Sequence, residues 1–461
     1  MTSAEPADLL IAGGGPAGTE AALAAAGLGL KTVLVEGDQL GGTCLNRGCI
    51  PTKLFLGATQ ATDELAAQSR LKLAEGQIRI SLAALQTRKD RLVSGIRSAL
   101  NASLAKAGVR VIAGRLGAMA PGLAHVETPD GPLAVPFAKC ILATGSRPAV
   151  YPTMAPDGRA VLDSTGILAL TEVPESLIIV GAGAIGLEFS DIFHRLGARI
   201  ILLEGADRIA PAEEPDVGKV LSQALTRKGC VLRAGVRVKS LGTVDEHAVL
   251  TLDTGEDIHA EKALVAVGRF PNSDIPGLAD CGVRFLGDGP NRAWIDVDDH
   301  LLAAPGIYAV GDVNGRTLLA HAASHQAAYA ARHAAGKTAS PYDPGAIPGC
   351  IYGSPETVRV GRMPRELTAL GLTPEISEAQ LAANPMAQAH AASLGFVRVV
   401  WLEGRVAGIT AVGHGVASMG TLATVIVNQA WDRDMAEHTV FPHPGLDESL
   451  RAALLAGKRK S

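Results

Sequence analysis

Cys44 and Cys49 stand five positions apart in Gly41-Gly42-Thr43-Cys44-Leu45-Asn46-Arg47-Gly48-Cys49-Ile50-Pro51. Two thiols so spaced can exchange an electron pair by making or breaking one S–S bond, with the thiolate as the reacting form. Residues five apart in a regular helix have Cα atoms roughly 8.6 Å apart, whereas a disulfide tolerates at most about 7 Å. Pairing therefore needs a distorted segment, and Gly48 and Pro51 supply the means. Arg47 and Lys53 favour the thiolate, and Gly41-Gly42 would let the chain press against a flat ring system. The other candidate is His443-Pro444-Gly445-Leu446-Asp447-Glu448, an imidazole with a carboxylate five residues on that can fold back to orient it. Taken alone, His443 also fits an ordinary surface or capping histidine. His321, His325, His414 and His438 have no comparable neighbour in sequence.

The elements around these residues repeat one plan. Leu9-Leu10-Ile11-Ala12 precedes Gly13-x-Gly15-x-x-Gly18, a small-residue helix and a strand ending on Glu36. Leu177-Ile178-Ile179-Val180 precedes Gly181-x-Gly183-x-x-Gly186, a helix through Leu196 and a strand ending on Glu204. In both copies the acid lies 18 residues beyond the last glycine. Strand, glycine turn, helix, strand and acid form the dinucleotide-binding arrangement: the pyrophosphate sits at the helix N-terminus and the acid hydrogen-bonds a ribose hydroxyl. Two copies imply two dinucleotides, and two dinucleotides imply electron transfer between them.

Composition narrows the alternatives. The 461 residues suggest about three domains. Aromatic residues are only 3%, so the core must be built from Ala, Leu, Val and Ile. A net charge of −4, with no basic block beyond Lys458-Arg459-Lys460, speaks against nucleic acid. No signal-peptide pattern opens the chain and no apolar run approaches the roughly 18 residues of a membrane span. Six cysteines without paired spacing beyond Cys44/Cys49 fit a cytoplasmic protein without a metal site. Between the two glycine turns, Leu82, Leu85, Leu92, Ile96, Leu100 and Leu104 predict a helix with one apolar face, for core packing or for an antiparallel helix pair. The stretch 336–348, with Pro341, Pro344 and Pro348, reads as a linker; beyond it 357–361 and 396–412 alternate as antiparallel strands.

Together the glycine fingerprint, the segment from Gly42 to Lys53 and the terminal His-Pro…Glu resemble the flavin- and pyridine-nucleotide-dependent disulfide oxidoreductases, and within them the dihydrolipoamide dehydrogenases. Ala143-Thr144-Gly145, Val267-Gly268-Arg269, Gly311-Asp312, Leu319-Ala320-His321-Ala322, Tyr352 and Pro355-Glu356 extend the likeness nearly end to end. The resemblance implies an α/β fold of two Rossmann-like dinucleotide-binding domains plus a C-terminal α+β dimerisation domain. The expected parts are 1–148 and 273–343 for FAD, 149–272 for NAD, and 344–461 for the interface.

The same resemblance implies residue roles. FAD would bind through Gly13, Gly15, Pro16, Ala17, Gly18 and Glu36, with Gly42, Thr43, Lys53, Thr144, Gly145 and Gly311 lining its site. Asp312 would hold the ribityl chain, and the residues Leu319, Ala320, His321 and Ala322 would aim N–H groups at the flavin pyrimidine. NAD would bind through Gly181, Gly183, Ile185, Gly186, Glu204 and Gly268, the Glu204 carboxylate accepting from a free 2′-hydroxyl and repelling a 2′-phosphate. Cys49 would face the flavin and Cys44 the substrate, Lys53 would pair with Glu188, and His443 would be the base held by Glu448. In the family that base comes from the other subunit of a homodimer. The implied reaction is oxidation of dihydrolipoamide on a lipoyl-domain-bearing protein, with NAD as acceptor. A related NAD(P)H-dependent reductase of another disulfide, and a non-catalytic flavin or NADH sensor, are the alternatives. The chain departs from the family at Phe441, usually a histidine, and Gly445, usually a threonine; both would bear on substrate choice.

Overall fold

The computed structural model describes residues 2–287 and 293–460. The described residues fall into two compact units, one within 1–51, 87–149 and 268–344 and the other within 52–86, 150–267 and 345–461.

In the first unit a sheet runs in the order Leu302–Ala304, Ile307–Ala309, Gly131–Leu142, Ala7–Ala12, Thr32–Glu36, Arg110–Ala113. Its central strands pair in parallel. Leu9, Leu10, Ile11 and Leu34 are fully buried, the near-continuous apolar pattern of strands covered on both faces. The helix Pro16–Gly27 packs along Ala320–Ala334. Both are alanine-rich, with Ala21, Ala22, Ala25, Ala327 and Ala330 fully buried. A chain poor in aromatics closes its core here by bringing two helix backbones together rather than by filling a gap with rings.

The second unit repeats the parallel plan in the order Val231–Arg233, Arg199–Leu203, Ser176–Val180, Lys262–Val265, Val161–Leu162. A separate six-stranded sheet runs Gly349–Ile351, Glu356–Gly361, Arg405–Gly413, Phe396–Leu402, Glu375–Gln380, Arg459–Lys460, antiparallel throughout. The helices Gly420–Asn428 and Glu448–Leu455 pack against it. Trp401 is fully buried there and donates its indole N–H to Ser377 Oγ at 2.7 Å. The α/β class with a C-terminal α+β sheet is the architecture expected from sequence.

Two expectations need correction. The helix Leu82–Lys106 forms, but its apolar stripe is covered only in part: Leu82, Leu85 and Leu104 are buried, whereas Leu92 and Ile96 are 40% and 38% exposed. Pro51 does not distort the cysteine segment. It sits third in the helix Cys49–Arg70, where its missing N–H is not needed.

The two glycine turns share one geometry. Gly13 and Gly181 hold φ of +102° and +103°, and their N–H groups donate to Val35 O and Leu203 O, both at 2.8 Å. A Cβ on Gly18 would fall 1.7 Å from Gly13 O, and one on Gly186 would fall 1.9 Å from Gly181 O. Each helix therefore touches the end of its strand backbone to backbone. Gly186→Ala should lower the unfolding free energy by about 1–3 kcal/mol in urea titration. Gly242→Ala, with open space at its Cβ, should stay within roughly 0.5 kcal/mol of the parent.

Candidate active site

The cysteine segment folds as two helices. Gly42–Arg47 carries Cys44 and Cys49–Arg70 begins at Cys49, with Gly48 between them at φ −143° and ψ −115°. A Cβ on Gly48 would lie 2.9 Å from Thr43 O, so the break is backbone-close as well as bent. Cys44 is half-buried and Cys49 exposed. Gly42 lies against the first glycine turn itself: its Cβ would meet Gly15 Cα at 2.7 Å, and Gly41 N donates to Gly14 O at 2.7 Å. Asn46, between the cysteines, donates from Nδ2 to Leu40 O at 3.0 Å and Gly42 O at 2.9 Å, knitting the loop to the helix it opens. Its Oδ1 is buried without a hydrogen bond.

Both acids close on their turns in the same way. Glu36 accepts from Gly14 N at 2.5 Å and Asp38 N at 2.7 Å; Glu204 accepts from Ala182 N at 2.7 Å and Ala206 N at 2.9 Å. Burial pushes the Glu36 carboxyl up, against the lowering by the Gly14 N–H and by Arg47. No side chain caps the helix that starts at Pro16 or the one that starts at Ala184, so their first N–H groups remain for an anion. Uncapped N-terminus, side-chain-free Gly15 and Gly183, and an acid at the following strand end fit a dinucleotide at each turn. Arg208 points its guanidinium at backbone oxygens, with Nη2 3.0 Å from Pro211 O and 3.4 Å from Glu213 O.

Elsewhere in the first unit, Thr144 and Asn272 exchange hydrogen bonds, Thr144 Oγ1 to Asn272 O and Asn272 Nδ2 to Thr144 O, both 2.8 Å. Asp312 Oδ2 accepts from Ser146 Oγ at 2.5 Å, and Arg269 Nε donates to the same Ser146 Oγ at 2.6 Å. Gly311 N donates to Gln326 Oε1 at 2.8 Å. Leu319 is the N-cap residue of the helix Ala320–Ala334, whose opening turn is Ala320, His321 and Ala322. Gly145 and Gly268 lie in the turns that flank the paired strands Ser146–Pro148 and Arg269–Pro271.

In the second unit Lys53 Nζ lies 2.8 Å from Glu188 Oε1 and 2.6 Å from Oε2. Tyr352 completes this pair, its N–H donating to Glu188 Oε1 at 3.0 Å and its ring centroid 4.7 Å from Lys53 Nζ. His443 Nδ1 lies 3.0 Å and 3.2 Å from the two oxygens of Glu448, and Gly445 N donates to Glu448 Oε2 at 3.0 Å. That N–H first, and the imidazole second, hold the Glu448 carboxyl below the usual carboxylate range. Asn384 Nδ2 donates to Gly445 O at 3.0 Å, and Phe441 packs against the apolar core beneath the loop. Ser146, Arg269, Gln326, Tyr352 and Asn384 were not among the sequence-derived site residues. For Arg269 and Tyr352 the signal existed, as motif residues without a role; Ser146, Gln326 and Asn384 carry none.

Among the described residues no group of three or more His, Cys, Asp or Glu is arranged to hold a metal, and no helix is long and apolar enough to cross a membrane.

Comparison with known proteins agrees with this geometry. Residues 7–327 match the pyridine nucleotide-disulphide oxidoreductase family, and residues 347–454 match that family's dimerisation domain. A dihydrolipoyl dehydrogenase of Bacillus subtilis is 35% identical over 97% of this chain and 98% of its own. Dihydrolipoyl dehydrogenase 2 of Haloarcula marismortui is 36% identical over 98% and 96%. The crystal structure of LpdA from Mycobacterium tuberculosis superposes with a TM-score of 0.89 at 28% identity, over 98% of this chain and 99% of that one. The HOCl-induced flavoprotein disulfide reductase RclA of Escherichia coli, at 23% identity and a TM-score of 0.85 over 97% of this chain and 99% of that one, shares the fold. The chain therefore belongs to the pyridine nucleotide-disulphide oxidoreductases, an enzyme family that works with FAD and NAD.

Proposed function

We propose that the protein is a dihydrolipoamide dehydrogenase, oxidising dihydrolipoamide carried on a lipoyl protein and reducing NAD. The observation that carries this reading is the seating of the cysteine segment on the first dinucleotide turn, where Gly41 bonds Gly14 and Gly42 lies on Gly15. A thiol pair fixed to a nucleotide turn is a thiol pair placed to trade electrons with what the turn binds. Residues 1–148 and 273–343 serve FAD, 149–272 serve NAD, and 344–461 join two copies in a homodimer of the cytoplasm.

Bound FAD supplies a two-electron carrier between the thiol pair and NAD. Gly13, Gly15, Pro16, Ala17 and Gly18 leave room for its pyrophosphate at the helix start, and Glu36 accepts from its ribose. Gly42, Thr43, Lys53, Thr144, Gly145 and Gly311 line the same site; Asp312 orients the ribityl hydroxyls, and Leu319 to Ala322 offer helix-start N–H groups. Gly181, Gly183, Ile185, Gly186, Glu204 and Gly268 do the corresponding work for NAD.

His443, serving the cysteines of the second copy, takes the proton of a substrate thiol at Nε2. Its Nδ1–H is committed to Glu448, which fixes the tautomer that leaves Nε2 as the base. The substrate thiolate attacks Cys44 Sγ of the oxidised pair, breaking the Cys44–Cys49 bond, and Cys49 leaves as thiolate. The second substrate thiol, deprotonated in turn, attacks the sulfur joined to Cys44, closing the substrate disulfide and releasing Cys44. Lys53 stands one helical turn beyond Cys49, a fixed positive charge for the thiolate that remains.

Three outcomes test this reading. Purified holoenzyme should reduce NAD with dihydrolipoamide, followed by NADH absorbance, and Cys49→Ala should remove this turnover. Failure with dihydrolipoamide alongside turnover of another disulfide with NADPH would overturn the substrate. Glu448→Gln keeps an acceptor for Gly445 N but loses the charge, and should lower kcat by about 10–100-fold. Because the Gly445 N–H and the imidazole hold the Glu448 carboxyl below its ordinary range, the loss caused by Glu448→Gln should persist when the pH is lowered mildly. Glu204→Ala should weaken NADH binding by roughly tenfold, the scale of one charged hydrogen bond. NADPH should gain no preference, because Arg208 is engaged by Pro211 and Glu213; fluorescence titration reads both.

A further inference from the structure

The helix Ala184–Leu196 carries more than Glu188 toward the helix that begins at Cys49. Along one face it presents Glu188, Asp191 and Arg195, at steps of three and four. Arg195 reaches Asp63 on the cysteine-bearing helix, with Nε 3.0 Å and Nη2 2.9 Å from Oδ2. Its Nη1 lies 3.3 Å from Leu56 O, one turn from Lys53. Lys228, just past the helix Pro215–Arg227, joins the two sides: Nζ is 2.8 Å from Asp63 Oδ2 and 2.6 Å from Asp191 Oδ1. The side chains of Arg195 and Asp191 are 4% exposed, that of Lys228 17% and that of Asp63 21%, so two carboxylates and two cations neutralise one another largely out of water. Against the upward push of burial, Lys228 and Arg195 hold the Asp63 carboxyl below its ordinary range.

The cluster also fixes the connection between two strands that covers Lys53. Asp191 Oδ2 accepts from Ser354 N, and Lys228 Nζ donates to Ser354 O at 3.1 Å. Gly353 leaves the space this needs, since a Cβ there would stand 2.5 Å from Asp191 Oδ2. One residue earlier, Tyr352 donates its N–H to Glu188 and lays its ring over Lys53. Two backbone N–H groups, those of residues 352 and 354, are thus tied to one helix, and that helix is tied at both ends of its face to the helix of Lys53.

We propose that Asp63, Arg195, Lys228 and Asp191 are positioning residues for the Lys53–Glu188 pair: they lock the register of the two helices and clamp residues 352–354, so that the ammonium group is held in one place a helical turn from Cys49. The inference rests on the reading of Lys53 as the cation serving the Cys49 thiolate, and it assigns a role to four charged residues that touch no reacting atom. An ion pair alone would leave Lys53 free to pivot about Glu188; the clamp removes that freedom by fixing what lies above and behind it.

The test uses FAD-loaded, full-length protein reduced anaerobically with one equivalent of dithionite, and reads the long-wavelength absorbance of the thiolate–flavin contact. Lys228→Met should lose at least half of that band while FAD content is retained, and Lys228→Arg should restore it. Should Lys228→Met fail to fold, the charge-neutral pair Lys228→Met with Asp191→Asn decides, with the same loss expected. A band of parental height in folded, FAD-loaded Lys228→Met or in the double variant would overturn the proposal and leave the cluster a packing feature. No disulfide substrate enters the measurement. Inactivity of the parent with dihydrolipoamide would therefore sink the substrate assignment and leave this result standing.

Discussion

How closely a helix can approach the strand before it governs most of this molecule. At Gly18 and Gly186 the distance is so short that one methyl group would overlap a carbonyl oxygen. That contact brings the helix N-terminus, with its unpaired N–H groups, to the edge of the sheet, where a phosphate can reach it without meeting a side chain. The same proximity draws the next strand alongside, so that Glu36 and Glu204 close back on their own turns. In the first unit the crowding extends a step further, because Gly42 lies on Gly15 and carries the cysteines with it. A chemical pair is fixed here by a chain of backbone contacts, each made possible by the absence of a side chain.

The charged groups of the second unit do complementary work. Glycine contacts set distances along the backbone, but they do not hold a long, flexible lysine in one rotamer. That requires partners on several sides, and Lys53 has a carboxylate with both oxygens committed and an aromatic face above it. Buried ion pairs are weak sources of net stability because desolvation offsets their attraction. In this place the loss of the pair would leave the buried Glu188 carboxylate without its cation.

Much of this was legible in the sequence because it depends on local spacing. Both glycine turns, both terminal acids and the helix break at Gly48 follow from residues a few positions apart. Long-range partners left less trace. Lys53 and Glu188 are separated by 135 residues, and only resemblance to a family joined them in advance. Ser146, which connects Arg269 to Asp312, and Asn384, which steadies the loop of His443, are single polar residues in unremarkable surroundings. The apolar stripe of Leu82–Lys106 misled in the opposite direction. Periodicity reports that a face is apolar; it does not report what covers Leu92 and Ile96. Pro51 misled because a proline's effect depends on its place, and the first turn of a helix tolerates what its middle does not.

One consequence of the closed acids concerns what they can still accept. Each carboxylate offers about four lone-pair positions, and two on each are already filled by the backbone N–H groups of its own turn. The remaining vacancies admit only atoms that bring a hydrogen. An alcohol qualifies, and an ionised phosphate ester does not. On the reading of Glu36 and Glu204 as ribose-binding residues, each turn would act as a counter of hydrogens: what is left of its carboxylate would accept from a free hydroxyl and not from an esterified one.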